Sequence, residues 1–301
     1  MINKKIEYFF SVVETGSFSG AAKKHFLSQP AISQQILLLE KEIGLTLFDR
    51  SGYRPILTKA GQYFYDECQK LTLEYQHIIL KAHRIQSDVF PCLQIGITGP
   101  MEEKFLPVIV KIFRKAYPNI DIKIKKTTFS SGITLIKNGT LDAAFGITND
   151  FMKNDSISFV TLLKHQVCII CSREHRWANK LTIEGKELVN EPIISLSPFI
   201  GDHFYDDFMK SFELDGVKPD IIKQVDSLEE LFFAVRLNEG IALTSKEVVP
   251  DTNDLCVLDI INTHHHANFC IGFDEKHMSL YLKDFIHMIK VYFQKDYKNN
   301  L

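Results

Sequence analysis

The stretch Ser17–Leu39, SFSGAAKKHFLSQPAISQQILLL, constrains the fold of this chain more than any other. Ser17 can cap a helix, because its hydroxyl can accept from an orphan N–H of the first turn. Phe18, Ala21 and Ala22 follow as one apolar face at helical spacing, with Lys23 and Lys24 outside. Ser28 is a second N-cap, and Pro30 sits in the next first turn, where its missing N–H costs nothing. Ile32, Ile36 and Leu39 then repeat at i, i+4, i+7 as an inner face, which leaves Gln29, Ser33 and Gln34 outside. Short amides and hydroxyls at a helix N-terminus suit the reading of base edges, since Gln can pair two-fold with adenine and Ser can donate or accept. The pattern predicts a helix-turn-helix whose recognition helix starts at Gln29.

These residues carry a resemblance. Ser-Phe-Ser-x-Ala-Ala at 17–22, Ser-Gln-Pro-Ala-Ile-Ser at 28–33, Leu39-Glu40, Gly44-Leu45-x-Leu-Phe-x-Arg ending at Arg50, and Leu57-Thr58-x-Ala-Gly61 resemble the amino-terminal signature of LysR-type transcriptional regulators. Five blocks in order over about sixty residues are far more specific than a lone short motif. The resemblance implies a winged helix-turn-helix over residues 1–58, a linker helix for dimerisation over 59–90, and an effector-binding domain over 91–301. Two positions depart from the family. Gln34 stands where Arg is frequent, which bears on any guanine contact there, and His25 replaces a core Leu. His25 is expected to lie partly buried against the first helix rather than to act as a ligand.

The chain as a whole fits a soluble globular protein, with 45% hydrophobic and 24% charged residues. No apolar run has the length of a membrane span and the N-terminus has no signal-peptide core, so a cytoplasmic protein without a membrane partner is expected. The net charge of −2 does not by itself suggest a nucleic-acid partner. Residues 1–90 hold 11 Lys/Arg against 9 Asp/Glu and the remainder 24 against 28, an asymmetry that agrees with DNA binding without arguing for it. Cys168 and Cys171 make a CxxC, but within Gln-Val-Cys-Ile-Ile-Cys, a strand pattern in which residues three apart face opposite ways; redox or metal chemistry is the lesser reading. In the run His264-His265-His266 adjacent strand residues alternate faces, so a solvated strand end is expected, not a metal site. No cofactor is expected.

Along the chain, a first helix is predicted over 3–14, then the two helices above, then a wing over 45–58 turning at Ser51-Gly52. Arg50 and Arg54 on this wing are placed to contact phosphates, with solvated turn charge as the alternative. Thr58 starts a long helix whose apolar positions Phe64, Cys68, Leu71, Tyr75, Ile78, Ala82, Ile85 and Val89 are spaced 4-3-4-3-4-3-4. This heptad seam predicts pairing with a second copy, which lets two recognition helices read two half-sites. From Pro91 onward strands alternate with helices, which predicts parallel sheets. A first subdomain is expected over about 91–163 with 267–301, and a second over about 164–266. Together they resemble the periplasmic-binding-protein-like α/β effector domains of the family.

In open α/β sheets, ligands bind beyond the carboxyl ends of the strands. Hydroxyls recur at those ends: Thr98; Thr128 and Ser130; Thr148; and Ser197, beside Phe199 as an apolar wall. With helix N-termini, these favour a small anion, a carboxylate, and the family resemblance implies that Thr98 and Thr128 line the inducer site. Simple helix capping explains the same residue types equally well. The leading function is a dimer or tetramer that binds double-stranded promoter DNA and responds to a small effector, with RNA polymerase as a further possible partner. One alternative is a DNA-bound scaffold with a vestigial cleft. An enzyme on a binding-protein-like fold is the other; the sequence holds no Gly-x-Ser-x-Gly, metal-spaced His pair or phosphate loop to support it.

Overall fold

The computed structural model describes residues 3–52, 54–86 and 92–295. The chain forms two compact units, Met1–Ala82 and His83–Leu301.

The first unit opens with α1 (Lys4–Thr15), α2 (Phe18–Lys24) and α3 (Gln29–Ile43). Both expected caps form: the Ser17 hydroxyl accepts from Gly20 N at 3.0 Å and the Ser28 hydroxyl from Ala31 N at 3.4 Å. Gly44 closes α3 at φ +70°, a left-handed conformation that a side chain would strain. A two-stranded antiparallel wing follows, β1 (Phe48–Asp49) and β2 (Ile56–Leu57), and then the long α4 (Lys59–Gln86). The Thr58 hydroxyl accepts from Gly61 N at 2.9 Å and donates to Thr46 O at 2.7 Å, tying the start of α4 to the wing. A Cβ on Gly61 would lie 2.1 Å from the Leu47 carbonyl oxygen, so only glycine permits this approach.

Phe9, Ile32, Ile36 and Leu47 are fully buried at the centre of this unit. His25 behaves as expected, its Nε2 lying 2.6 Å from Ser11 Oγ and its ring edge-on to Tyr8. One seam position is corrected. Phe64 packs its ring 5.6 Å from Phe9 and belongs to the helix-turn-helix core, because the first turns of α4 lie on that core. Further along, Leu71, Tyr75 and Ile78 are 66%, 41% and 55% exposed, and Ala82 is exposed too. Val89 and the side chain of Ile85 lie outside the described residues.

The second unit begins β3 (Cys92–Ile97), α5 (Pro100–Ala116), β4 (Asp121–Lys126), α6 (Phe129–Lys137), β5 (Ala143–Ile147), α7 (Thr148–Met152) and β6 (Ser158–Lys164). The chain then crosses to a second lobe: β7 (Val167–Ser172), β8 (Thr182–Glu184), β9 (Pro192–Leu196), α8 (Asp202–Leu214), β10 (Asp220–Val225), α9 (Leu228–Arg236), β11 (Ala242–Ser245) and β12 (Leu255–Ile261). It returns through β13 (Asn268–Phe273) and ends in α10 (Leu280–Lys295).

The expectation of parallel sheets is corrected to mixed ones. The first lobe has the order β4-β3-β5-β13-β6, with β3 parallel to β4 and β5 but β13 antiparallel to both its neighbours. The cause is the double crossing: β13 re-enters from the other lobe and inserts between β5 and β6 from the opposite end. The second lobe has the order β11-β7-β12-β8, with β7 antiparallel to β11 and β12, beside the parallel pair β9–β10. At the crossing His165 N donates to Ala267 O at 2.9 Å.

Strand alternation places Cys168 and Cys171 in different cores. Cys168 and Ile170 pack towards α9, whereas Ile169 and Cys171 pack with Trp177 and Phe212. Burial pushes both thiols up to about 12, which leaves them inert as thiolates.

The triple histidine departs from a wholly solvated strand end. His264 and His266 are exposed, with His264 Nδ1 2.6 Å from Asp215 Oδ1, but His265 is buried with its ring 4.3 Å from that of Phe212. Burial pulls the His265 imidazole down to about 4; Asp215 opposes this, and the neighbouring histidines add to it. The unfolded chain therefore binds more protons than the folded one below the ordinary histidine range. The contribution of His265 is complete above about pH 6.5 and drains away as the pH falls towards 4, by up to about 3 kcal/mol. Urea unfolding at pH 7, 5.5 and 4.5 should show this loss, and His265→Phe should remove it. Identical pH slopes for the two proteins would overturn the neutral burial.

Candidate functional site

On the first unit, α3 presents Gln29, Pro30 and Gln34 to solvent, with Ser33 half-buried beside them. This is the face expected to read bases, carried on a helix whose opposite side is locked by Ile32, Ile36 and Leu39. Ser17 is half-buried with its hydroxyl engaged as the α2 cap, while Arg54 is exposed on the wing.

Arg50 is exposed on the wing and has a partner within the unit that the sequence did not identify. Its Nη2 lies 2.8 Å from Glu40 Oε2, and its guanidinium stands 5.3 Å over the ring of Phe18. The other Glu40 oxygen accepts from Leu47 N at 2.7 Å and from Phe48 N at 3.1 Å. The Glu40 side chain is mostly buried, so its charge requires a counter-ion, and Arg50 supplies it while fastening the wing to α3. Arg50→Ala should lower the stability of the unit by about 1–3 kcal/mol, the cost of leaving such a group unpaired. A thermal melt checks this. Unchanged melting, with the salt dependence of DNA binding reduced by about one unit of slope, would instead return Arg50 to a phosphate role.

On the second unit, a cavity of about 400 Å3 lies between the two lobes. Its apolar wall comes from Met101, Phe129 and Phe269 of the first lobe and Leu196, Phe204 and Leu228 of the second, with His165 at the crossing. The lobes meet around it. Phe129 and Phe204 contact edge-on at 5.5 Å, Ser130 N donates to Ile200 O at 3.2 Å, and Lys126 Nζ lies 3.3 Å from Glu229 Oε1. Asp150, on α7, faces the start of α8, where the backbone N–H groups of His203 and Phe204 act to lower its pKa. Burial nevertheless lifts its carboxyl to about 6.

Thr98 and Thr128 are both on this wall, but each hydroxyl is engaged. Thr98 donates its hydroxyl and its backbone N–H to Glu102 Oε1, each at 2.8 Å, and Gly99 N donates to Glu102 Oε2 at 3.2 Å. Thr128 caps α6, accepting from Ser131 N at 3.1 Å, with its hydroxyl 3.0 Å from that of Ser131. The other expected residues do not line the cavity. Ser130 contributes its backbone to the contact between lobes, Thr148 is buried as the first residue of α7, Ser197 bonds Asp226, and Phe199 points outward, 72% exposed. Physically, these strand ends turn away from the cleft or are covered by the next helix. Sequence reasoning missed Glu102, whose signal is its position in the first turn of α5, and the paired aromatics Phe129 and Phe204.

A winged helix-turn-helix joined to a two-lobed domain that encloses a cavity is the construction of a ligand-responsive DNA-binding regulator. Comparison with known proteins narrows this. Residues 4–62 match the family described as "Bacterial regulatory helix-turn-helix protein, lysR family", and residues 91–294 match "LysR substrate binding domain". The regulator AlsR of Bacillus subtilis is 26% identical over 286 residues, covering 95% of this chain and 94% of AlsR. BenM of Acinetobacter baylyi is 30% identical over 247 residues, covering 80% and 79%. The crystal structure of HinK, a LysR family regulator of Pseudomonas aeruginosa, superposes with a TM-score of 0.59 at 22% identity, covering 96% and 97%. The chain belongs to the LysR family of transcriptional regulators: it is a DNA-binding protein with an effector-binding domain, and not an enzyme.

Proposed function

We propose that this protein binds promoter DNA as a homodimer or a dimer of dimers through residues 1–58, pairs through the helix at 59–90, and is switched by a small molecule held by residues 91–301. The observation that carries the reading is the face of exposed Gln29 and Gln34 with half-buried Ser33 at the N-terminus of α3. Pro30 sets the start of that helix, Arg54 approaches the backbone phosphates, and the capped turn at Ser17 supports the entry. Promoter binding puts its action in the cytoplasm, where RNA polymerase is the machinery it would act upon. A cavity with a largely apolar wall supports an effector rather than a vestigial cleft. Of the expected contacts, Thr98 and Thr128 remain candidates. The expected carboxylate would find both hydroxyls already engaged, that of Thr98 by a carboxylate of the chain itself.

Footprinting on the DNA upstream of its own gene tests the reading directly. Gln29→Ala or Ser33→Ala should lose roughly 1–3 kcal/mol of discrimination between that site and random DNA while non-specific binding persists. Equal losses on both kinds of DNA would remove α3 from the role of base reader.

The exposed positions Leu71, Tyr75, Ile78 and Ala82 support pairing through α4. Leu71→Asp with Ile78→Asp would place charges in an apolar helix pair, a penalty of several kcal/mol. Light scattering should then show a monomer, and a double mutant that stayed dimeric would rule out this seam.

A further inference from the structure

Glu102 is the most unusual group in the cavity wall. It is a carboxylate, 1% exposed, in the first turn of α5, where the helix dipole and free N–H groups would otherwise hold an anion from outside. Its two oxygens take the Thr98 hydroxyl, the Thr98 N–H and the Gly99 N–H. These are the donors that a carboxylate ligand at this strand end would need.

The remaining charges on the wall offer an anion nothing in exchange. Lys126 faces Glu229 at 3.3 Å, His165 Nδ1 lies 3.0 Å from Glu247 Oε2, and Asp226 adds a further carboxylate. An incoming carboxylate at this strand end would thus meet the buried Glu102 carboxyl already holding the Thr98 and Gly99 donors, with the wall's Lys126 drawn to Glu229 at the exposed rim. Burial pushes the Glu102 carboxyl up from its ordinary range, against the hydrogen bonds from Thr98 and Gly99, and in either protonation state its oxygens occupy those donors.

We propose that Glu102 acts as a built-in anion that sets the specificity of the effector cavity, so that the effector is an uncharged, largely apolar small molecule and carboxylates are excluded. This rests on the effector reading above and specifies its chemistry. Met101, Phe129, Phe204 and Phe269 supply the apolar contact such a molecule needs. Glu102 is a specificity residue in this scheme: without its carboxylate, the Thr98 and Gly99 donors become a ready carboxylate site.

The test compares phenylacetate with phenylacetamide, which share a shape and differ in charge. Binding to the full-length protein near pH 7 is read by ligand-dependent thermal stabilisation, for the wild type, Glu102→Ala and Glu102→Gln. The quantity that decides is the ratio of phenylacetate to phenylacetamide affinity. It should rise at least tenfold from wild type to Glu102→Ala, with Glu102→Gln, which keeps the volume and an acceptor, rising in the same direction and guarding against a failure of Glu102→Ala to fold. An unchanged or falling ratio in the folded variants overturns the proposal, and so does a wild type that takes phenylacetate as tightly as phenylacetamide or a complete lack of binding by all three proteins. Footprinting of the same proteins on the DNA upstream of the gene separates the two levels. Normal footprints with an unchanged ratio sink the specificity role alone, whereas a wild type without a footprint sinks the regulatory reading beneath it.

Discussion

The second unit depends on one buried carboxylate at the place where its chain crosses between lobes. Glu247 accepts from His165 Nδ1 at 3.0 Å and from Gln166 N at 3.1 Å, and its own backbone carbonyl accepts from Lys104 of α5. Burial alone would raise its pKa; the hydrogen bonds from His165 and Gln166 overcome that and hold it below the usual carboxylate range. A charge in a dry interior is tolerated only where its acceptors are filled. Because its donors come from the first crossing segment and from the opposite lobe, the same contacts that satisfy Glu247 fix where the two lobes meet. The cavity adjoins that meeting point, with His165, Val248 and Ala267 in its wall.

The first unit solves the same problem on a smaller scale. Glu40 near the end of the recognition helix gathers two wing N–H groups and the Arg50 guanidinium. The helix α3 and the wing beside it are thereby fastened to each other, by an ion pair as well as by apolar packing.

Much of this was legible in the sequence, because the strongest local signals are short-range. Ser17, Ser28 and Thr58 cap the helices they were expected to cap, since each cap needs only residues up to three positions away. The inward row Ile32, Ile36 and Leu39 follows from helical period alone. What was not legible depends on contacts distant in the chain. Nothing near Phe64 says that its ring will meet Phe9 instead of a second helix, and nothing near Arg50 identifies Glu40 as its partner. The antiparallel sense of β13 arises from the chain returning across the cleft, which no local pattern encodes. At the candidate cavity, Thr98 and Thr128 could be placed on the wall from strand-end logic. Ser197 and Phe199 could not, because the direction in which a loop leaves its strand is decided by what packs behind it.

The alternation along β7 has a mechanical consequence. Cys168 and Ile170 are part of one core while Ile169 and Cys171 are part of the other, so a single strand is the common wall of both. Close-packed interiors resist compression, and a displacement of that wall would open voids on one side and clashes on the other. The second lobe therefore has no soft internal plane along β7. Leu196 and Leu228, which line the cavity, pack against the core on the α9 side of this wall, so an occupant of the cavity bears on a close-packed layer, not on an isolated loop.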